Sequence, residues 1–169
     1  MEIWDAYDRF GNLLGYDLIR GNSIEKGVFH LATQVLVRHK DGSILCMKRS
    51  LNKEKFPGLY EATAGGSALK GEDKMACIKR ELKEETGLIS DNFIEVDKIV
   101  SDESNCIFYA FVCTVDIVDK NSIFLQEGET IGYKWFSEDE FVSLLNTKDI
   151  IPAQVRRFNK YFKEQGWIK

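Results

Sequence analysis

With 169 residues and 44% hydrophobic content, the chain has material for one core of ordinary domain size. A net charge of −4 with 30% charged residues excludes a nucleic-acid polymer partner gripped through a basic face. No apolar run approaches the ~18 residues of a spanning helix, and the start "MEIWDAYDRF" has no apolar signal region, so neither membrane nor secretion is expected.

Taken in chain order, "IWDAYDRFGNLLGYDLIRG" predicts two strands around a turn at Phe10-Gly11-Asn12, an N-terminal β-hairpin. "HLATQVLVRHKDGSILCMKRS" predicts a stronger hairpin: β-branched and apolar from Leu31 to Val37, turning at Asp41-Gly42, returning from Ser43 to Lys48. "NKEKFPGLYEATAGG" reads as a loop into a short strand, turning at Pro57-Gly58. A helix follows, with Asp73 as N-cap and Gly87 just past its end. "FIEVDKIVSDES", "CIFYAFVCTVDI" and "GYKWFS" predict three further strands, the second aromatic and mostly buried. "SEDEFVSLLNT" opens a helix at Ser137, with Glu140 completing a capping box. In "PAQVRRFNKYFKEQ", apolar residues at 155, 158, 161 and 162 predict one amphipathic terminal helix. Strands on both sides of a central helix make this an α/β (α+β) chain, and no linker or repeat divides residues 1–169.

Glu81, Glu84 and Glu85 stand at i, i+3 and i+4 of the central helix, where like charges repel. At about 100° per residue the three share one arc, and Met75, Ile78 and Leu82 share the next. One side of the helix can therefore enter the core while the carboxylates face a cleft. A solvated acidic face is the plain alternative. Lysines placed to pair with the glutamates are scarce, however, and hard cations want clustered carboxylate oxygens. Only two histidines are present, so a zinc site of His and Cys is not expected. Cys46, Cys77, Cys106 and Cys113 form no CxxC pair and read as reduced thiols of a cytoplasmic protein. Cys77 falls on the carboxylate arc and reads as a small residue beside the cleft.

Gly66, five residues, Glu72, seven residues and then Arg80-Glu81-Leu82-Lys83-Glu84-Glu85-Thr86-Gly87-Leu88 resemble the Nudix box at every defined position, over residues 66–88. The flanks agree: Pro57-Gly58-Leu59-Tyr60-Glu61 resembles a turn common before the box, and Glu129 precedes the Trp135 strand as an acid often does in the family. "WDAYDRFGNLLG" and "GVFHLATQV" resemble the subgroup related to isopentenyl-diphosphate isomerase. The resemblance implies an α/β/α sandwich around a mixed sheet and Mg²⁺- or Mn²⁺-dependent cleavage of a pyrophosphate bond. The implied substrate is a small molecule, a nucleoside diphosphate linked to another moiety.

On this resemblance Glu81, Glu84, Glu85 and the carbonyl of Gly65 match metal ligands. Glu72 and Arg80 match residues that orient loop and ligands, and Gly66 and Gly87 match structural glycines. Glu129 is the candidate base, with Glu127 next and an exposed loop acid as the plain reading; Glu84 and Arg80 complete the catalytic set. Arg49, beside the loop, is a candidate for a substrate phosphate. The N-terminal hairpin suits a homodimer interface. Two rivals stand beside this reading. An isopentenyl-diphosphate isomerase would have a cysteine where this chain has Gly65, and a ligand-sensing Nudix module would usually have lost box glutamates that this chain keeps.

Overall fold

The computed structural model of the chain describes residues 1–169. β1 (Ile3–Tyr7) and β2 (Leu13–Ile19) pair antiparallel as a separate two-stranded sheet, Ile3 opposite Ile19 and Tyr7 opposite Leu13. The Asp8 carboxylate accepts from the N–H groups of Phe10 and Asn12 at 2.8 and 2.9 Å, fixing the expected turn. Trp4 of this hairpin stacks on His30, ring centroids 4.2 Å apart.

Seven strands make the main sheet: β3 (His30–His39), β4 (Ile44–Arg49), β5 (Tyr60–Glu61), β6 (Ala64–Ser67), β7 (Phe93–Ser101), β8 (Cys106–Val115) and β9 (Thr130–Phe136). β3 is its spine. It runs parallel to β8 from His30 opposite Cys106 to His39 opposite Val115. On its other side it meets β4 only at Val37–Leu45 and Arg38–Ile44, next to their hairpin turn. Beyond that point the two strands part. β6 pairs with β3 along Ala32–Val35, and β5 pairs with β4 at Met47 and Lys48. The sheet therefore forks, and Thr63 sits in the angle with no exposed surface. Its hydroxyl donates to the Leu45 carbonyl at 2.6 Å and accepts from the Val37 N–H at 2.9 Å, replacing ladder bonds lost where the strands diverge.

Period-two alternation decides what each face of the sheet touches. Val35, Val37, Ile107, Tyr109 and Phe111 pack with Ile78 and Leu82 of α1 (Lys74–Thr86). Leu36, Ile44, Ala110 and Val112 pack on the opposite face, with Phe141 and Leu144 of α2 (Glu138–Leu145) and with Phe158 and Phe162 near the C-terminus. Helices thus cover both faces, and the central strands are buried on both sides, as parallel pairing requires. Ser137 caps α2, and Glu140 closes the capping box as expected.

The terminal helix is two helices, not one. α3 (Pro152–Arg157) and α4 (Asn159–Glu164) meet at Phe158, whose φ of −104° and ψ of 9° leave helical geometry. The bend serves the core. Phe158 is fully buried and stacks with Phe162, while Phe162 and Trp167 both meet Phe141 at centroid distances of 5.7 and 5.5 Å. A straight helix keeps one apolar stripe, and the bend lets all four rings converge. No helix here is long and apolar enough to cross a membrane.

Candidate active site

α1 is set from both ends by local chemistry. The Asp73 carboxylate accepts from the Ala76 N–H at 2.7 Å. Gly87, in the left-handed region at φ 75°, ends the helix and donates to the Lys83 carbonyl at 2.9 Å. Ile78 and Leu82 sink into the core, which turns the next arc toward the end of β6. There Glu81, Glu84 and Glu85 line one cavity of about 470 Å³ together with Gly65, Gly66 and Glu129. The consecutive elements β6 and α1 meet the distant loop before β9 at this point.

Arg80 bridges the acidic side chains. Its Nε and one terminal nitrogen donate to the two oxygens of Glu72 at 2.7 and 2.9 Å, a bidentate fork. The other terminal nitrogen donates to Glu81 at 2.8 Å and Glu84 at 3.1 Å, while the one that meets Glu72 also donates to the Ser67 carbonyl at 3.1 Å. Glu72 in turn accepts from the Leu69 N–H at 2.9 Å, so loop and helix are tied through one guanidinium. The Arg80 bonds hold the Glu72 carboxyl below the usual range, despite opposition from burial.

Glu85 has no such partner. Its carboxylate accepts only from the Gly65 N–H, at 3.3 Å. Burial first, and then the charges of Glu81 and Glu61, push its carboxyl up to about 9. Burial also raises Glu81, against the pull of Arg80. Crowded, oxygen-only and desolvated, this donor set fits a hard divalent cation, whose charge would return these groups to carboxylates. As the side chains stand, no three acidic groups gather closely enough to enclose an ion, and Arg80 is bonded to both Glu81 and Glu84. A cation there competes with Arg80 for those oxygens.

The two glycines at the end of β6 have different physical reasons. A Cβ on Gly65 would lie 2.5 Å from the Thr33 backbone carbonyl, so the sheet itself leaves no room. A Cβ on Gly66 would lie 2.3 Å from Glu81 Oε1, the tip of a flexible side chain. Gly65→Ala is therefore expected to cost about 2–3 kcal/mol and lower the Tm by ~5–10 °C. Gly66→Ala keeps the Tm within ~2 °C while activity drops about a hundredfold, because the Glu81 carboxylate is displaced. Thermal melts beside kinetics decide it; equal melting losses in both variants would refute the distinction.

Glu129 lies in the cavity and forms an ion pair with Lys53, whereas Glu127 is exposed and does not line it. Arg49 reaches the neighbouring space, but its guanidinium is engaged: it donates to Glu61 at 3.3 Å and to the Lys55 carbonyl at 3.1 Å. Cys77 is not beside the cleft. It is fully buried behind Gly66, 3.1 Å from the Thr33 hydroxyl, and burial pushes its thiol up to about 12. Sequence reasoning missed three side chains. Glu61 of β5, raised by burial against the pull of Arg49, points into the fork. Lys53 faces Glu129. Arg157 ends α3 next to the buried Phe158, and no local pattern in the sequence marks it.

A mixed sheet thus lies between helical layers, and acidic side chains gather where a glycine strand meets one helix. The chain belongs to the Nudix family: the NUDIX domain model matches residues 28–158. It is 31% identical over 153 residues to an uncharacterized Nudix hydrolase of Listeria monocytogenes, covering 90% of this chain and 89% of the relative. It is 30% identical over 116 residues to the Nudix hydrolase YfcD of Escherichia coli, covering 68% of this chain and 62% of YfcD. Among solved structures, DR0079 of Deinococcus radiodurans superposes with a TM-score of 0.72 at 15% identity, over 95% of this chain and 99% of that one. The NUDIX domain of Shewanella oneidensis NrtR, complexed with ADP ribose, superposes with a TM-score of 0.60 at 12% identity, over 81% and 88%. Nudix hydrolases act on nucleoside diphosphate derivatives and generally use divalent metals.

Proposed function

We propose that the protein cleaves the pyrophosphate bond of a nucleoside diphosphate joined to another moiety, and that Mg²⁺ or Mn²⁺ is required. The observation that carries this reading is the convergence of Glu81, Glu84, Glu85 and Glu129 on one cavity beside Gly65. Glu81, Glu84, Glu85 and the Gly65 carbonyl are the residues that would hold the cation. When bound, the cation would neutralise phosphate oxygens and acidify or orient the attacking water. Glu129, which shares the cavity with the three helix glutamates and pairs with Lys53, would take the proton of that water. Arg80 keeps Glu81 in place and ties it to the Glu72 loop.

The test is release of nucleotide from a panel containing ADP-ribose, other nucleotide sugars, a dinucleotide and coenzyme A, with Mg²⁺, with Mn²⁺ and after chelation. Turnover that appears with either metal and vanishes on chelation is the expected result. Binding of a panel compound with no turnover under any metal would overturn it in favour of a sensing module.

A further inference from the structure

A second cleft of about 380 Å³ adjoins the carboxylate cavity and shares Gly65, Gly66 and Ser67 with it. Its chemistry is the opposite. Arg49, Lys55 and Arg157 line it against a single acid, Glu61, which Arg49 already engages. Arg157 is the unusual member. Its guanidinium is half-buried and stacks 4.1 Å over the Phe108 ring of β8, yet no carboxylate lies within ion-pair distance of it. One N–H donates to the Gln34 amide oxygen at 3.1 Å, and the other donors have no protein acceptor. None of them is sealed from the cleft.

The neighbours reinforce the pattern. Gln34 and Gln154 are 7% and 5% exposed, and each spends its amide oxygen on a protein donor, Arg157 and the Ala62 N–H. Their NH₂ ends are left to donate, so the buried wall offers hydrogen-bond donors and a cation with almost nothing to accept from them. Burial also lowers the Arg157 guanidinium from its usual range, the cost of desolvating a charge that lacks a partner. Phe56 also lines the cleft, in a left-handed conformation, φ 54°, which is strained for an aromatic residue. A half-buried arginine with free donors matches the flat, bidentate geometry of a phosphate or a carboxylate.

We propose that this cleft receives the moiety joined to the diphosphate, and that this moiety carries its own negative charge, a phosphate or a carboxylate bound by Arg157. The inference rests on the hydrolase reading above for its placement of the diphosphate. The competing role for Arg157 is structural, a cation–π contact holding α3 to β8.

Two substrate pairs differ by one charged group on the moiety joined to the nucleoside diphosphate: UDP-glucuronate against UDP-glucose, and ADP-ribose 1″-phosphate against ADP-ribose. In the wild-type protein the charged member of at least one pair is expected to be favoured about tenfold in kcat/KM. The responding pair tells carboxylate from phosphate. In Arg157→Gln that ratio falls toward one, and Arg157→Lys keeps part of it. A ratio near one for both pairs in the wild type overturns the proposal. So does a ratio that Arg157→Gln leaves unchanged, even with every rate lower, since that is what a purely structural contact gives. If no compound is hydrolysed, the hydrolase reading fails separately. The same ratios are then read from calorimetric affinities, where equal or undetectable binding of both members overturns the charge preference.

Discussion

Replacing Glu85 with Gln lowers turnover by about a thousandfold and, in the metal-free protein, raises stability. Both effects come from one fact: a carboxylate has been buried where only a single long N–H bond meets it. In the folded protein its carboxyl lies near 9, above the 4.5 of an unburied glutamate. The folded state therefore holds the proton more tightly than the unfolded chain does. Stability linked to this group is complete below pH 4.5 and is lost as pH climbs toward about 9. Glutamine does not titrate. The Tm gap between variant and wild type should be small in acid and widen with pH, reaching ~3 °C or more at pH 8. Added Mg²⁺ should close the gap by stabilising the wild type alone, with a larger shift at higher pH, because binding must displace the proton. Melting curves at four or five pH values, with metal and with chelator, give the answer. A gap that stays constant with pH would falsify this account of Glu85.

Arg80→Leu is expected to be the most destabilising single change at the site. Glu72 and Glu81, whose side chains are 18% and 12% exposed, lose the cation that neutralises them. Removing one partner from a largely buried charge cluster typically costs ~3 kcal/mol, or about 6–12 °C in Tm for a chain of this size. Arg80→Lys should recover part of the stability but little activity, since an ammonium cannot fork Glu72 while reaching Glu81 and the Ser67 carbonyl. The pH dependence runs opposite to that of Glu85. Arg80 depresses the Glu72 carboxyl, so this contribution is present above its unfolded value and is lost as pH falls through the lower, folded one. Urea unfolding at pH 7 and pH 4 should show the wild-type advantage shrinking in acid. An advantage that is equal or larger at pH 4 would rule out the charge explanation in favour of lost packing by the arginine stem.

What could be read from sequence was local. Asp73 and Gly87 bound α1 because cap chemistry acts within one helical turn, and Ser137 with Glu140 closes α2 for the same reason. The arc of glutamates beside Ile78 and Leu82 follows from helical periodicity alone. The mixed sheet was legible as a class, but its fork was not: β3 and β4 part at Thr63, a residue with no pattern to mark it. Arg157 escaped because its partners, Gln34 on β3 and Phe108 on β8, come from strands far away in sequence, beyond any periodic signal. Cys77 shows the limit of a helical wheel. It shares an angle with Glu81 yet lies one turn nearer the N-terminus, where β3 and Gly66 close over it.

The parallel pairing of β3 with β8 also dictates when this chain can acquire its structure. His30 to His39 cannot find Cys106 to Val115 until the whole intervening segment, box helix included, has left the ribosome. Closing so long a loop is entropically slow, and the reward comes only when the sheet joins. Until then the apolar side of α1 has only part of its eventual cover, and the nascent chain presents β3 as an unpaired edge. Folding of this protein should accordingly be late, cooperative and dependent on synthesis passing Val115, with truncations that stop short of β8 prone to aggregate.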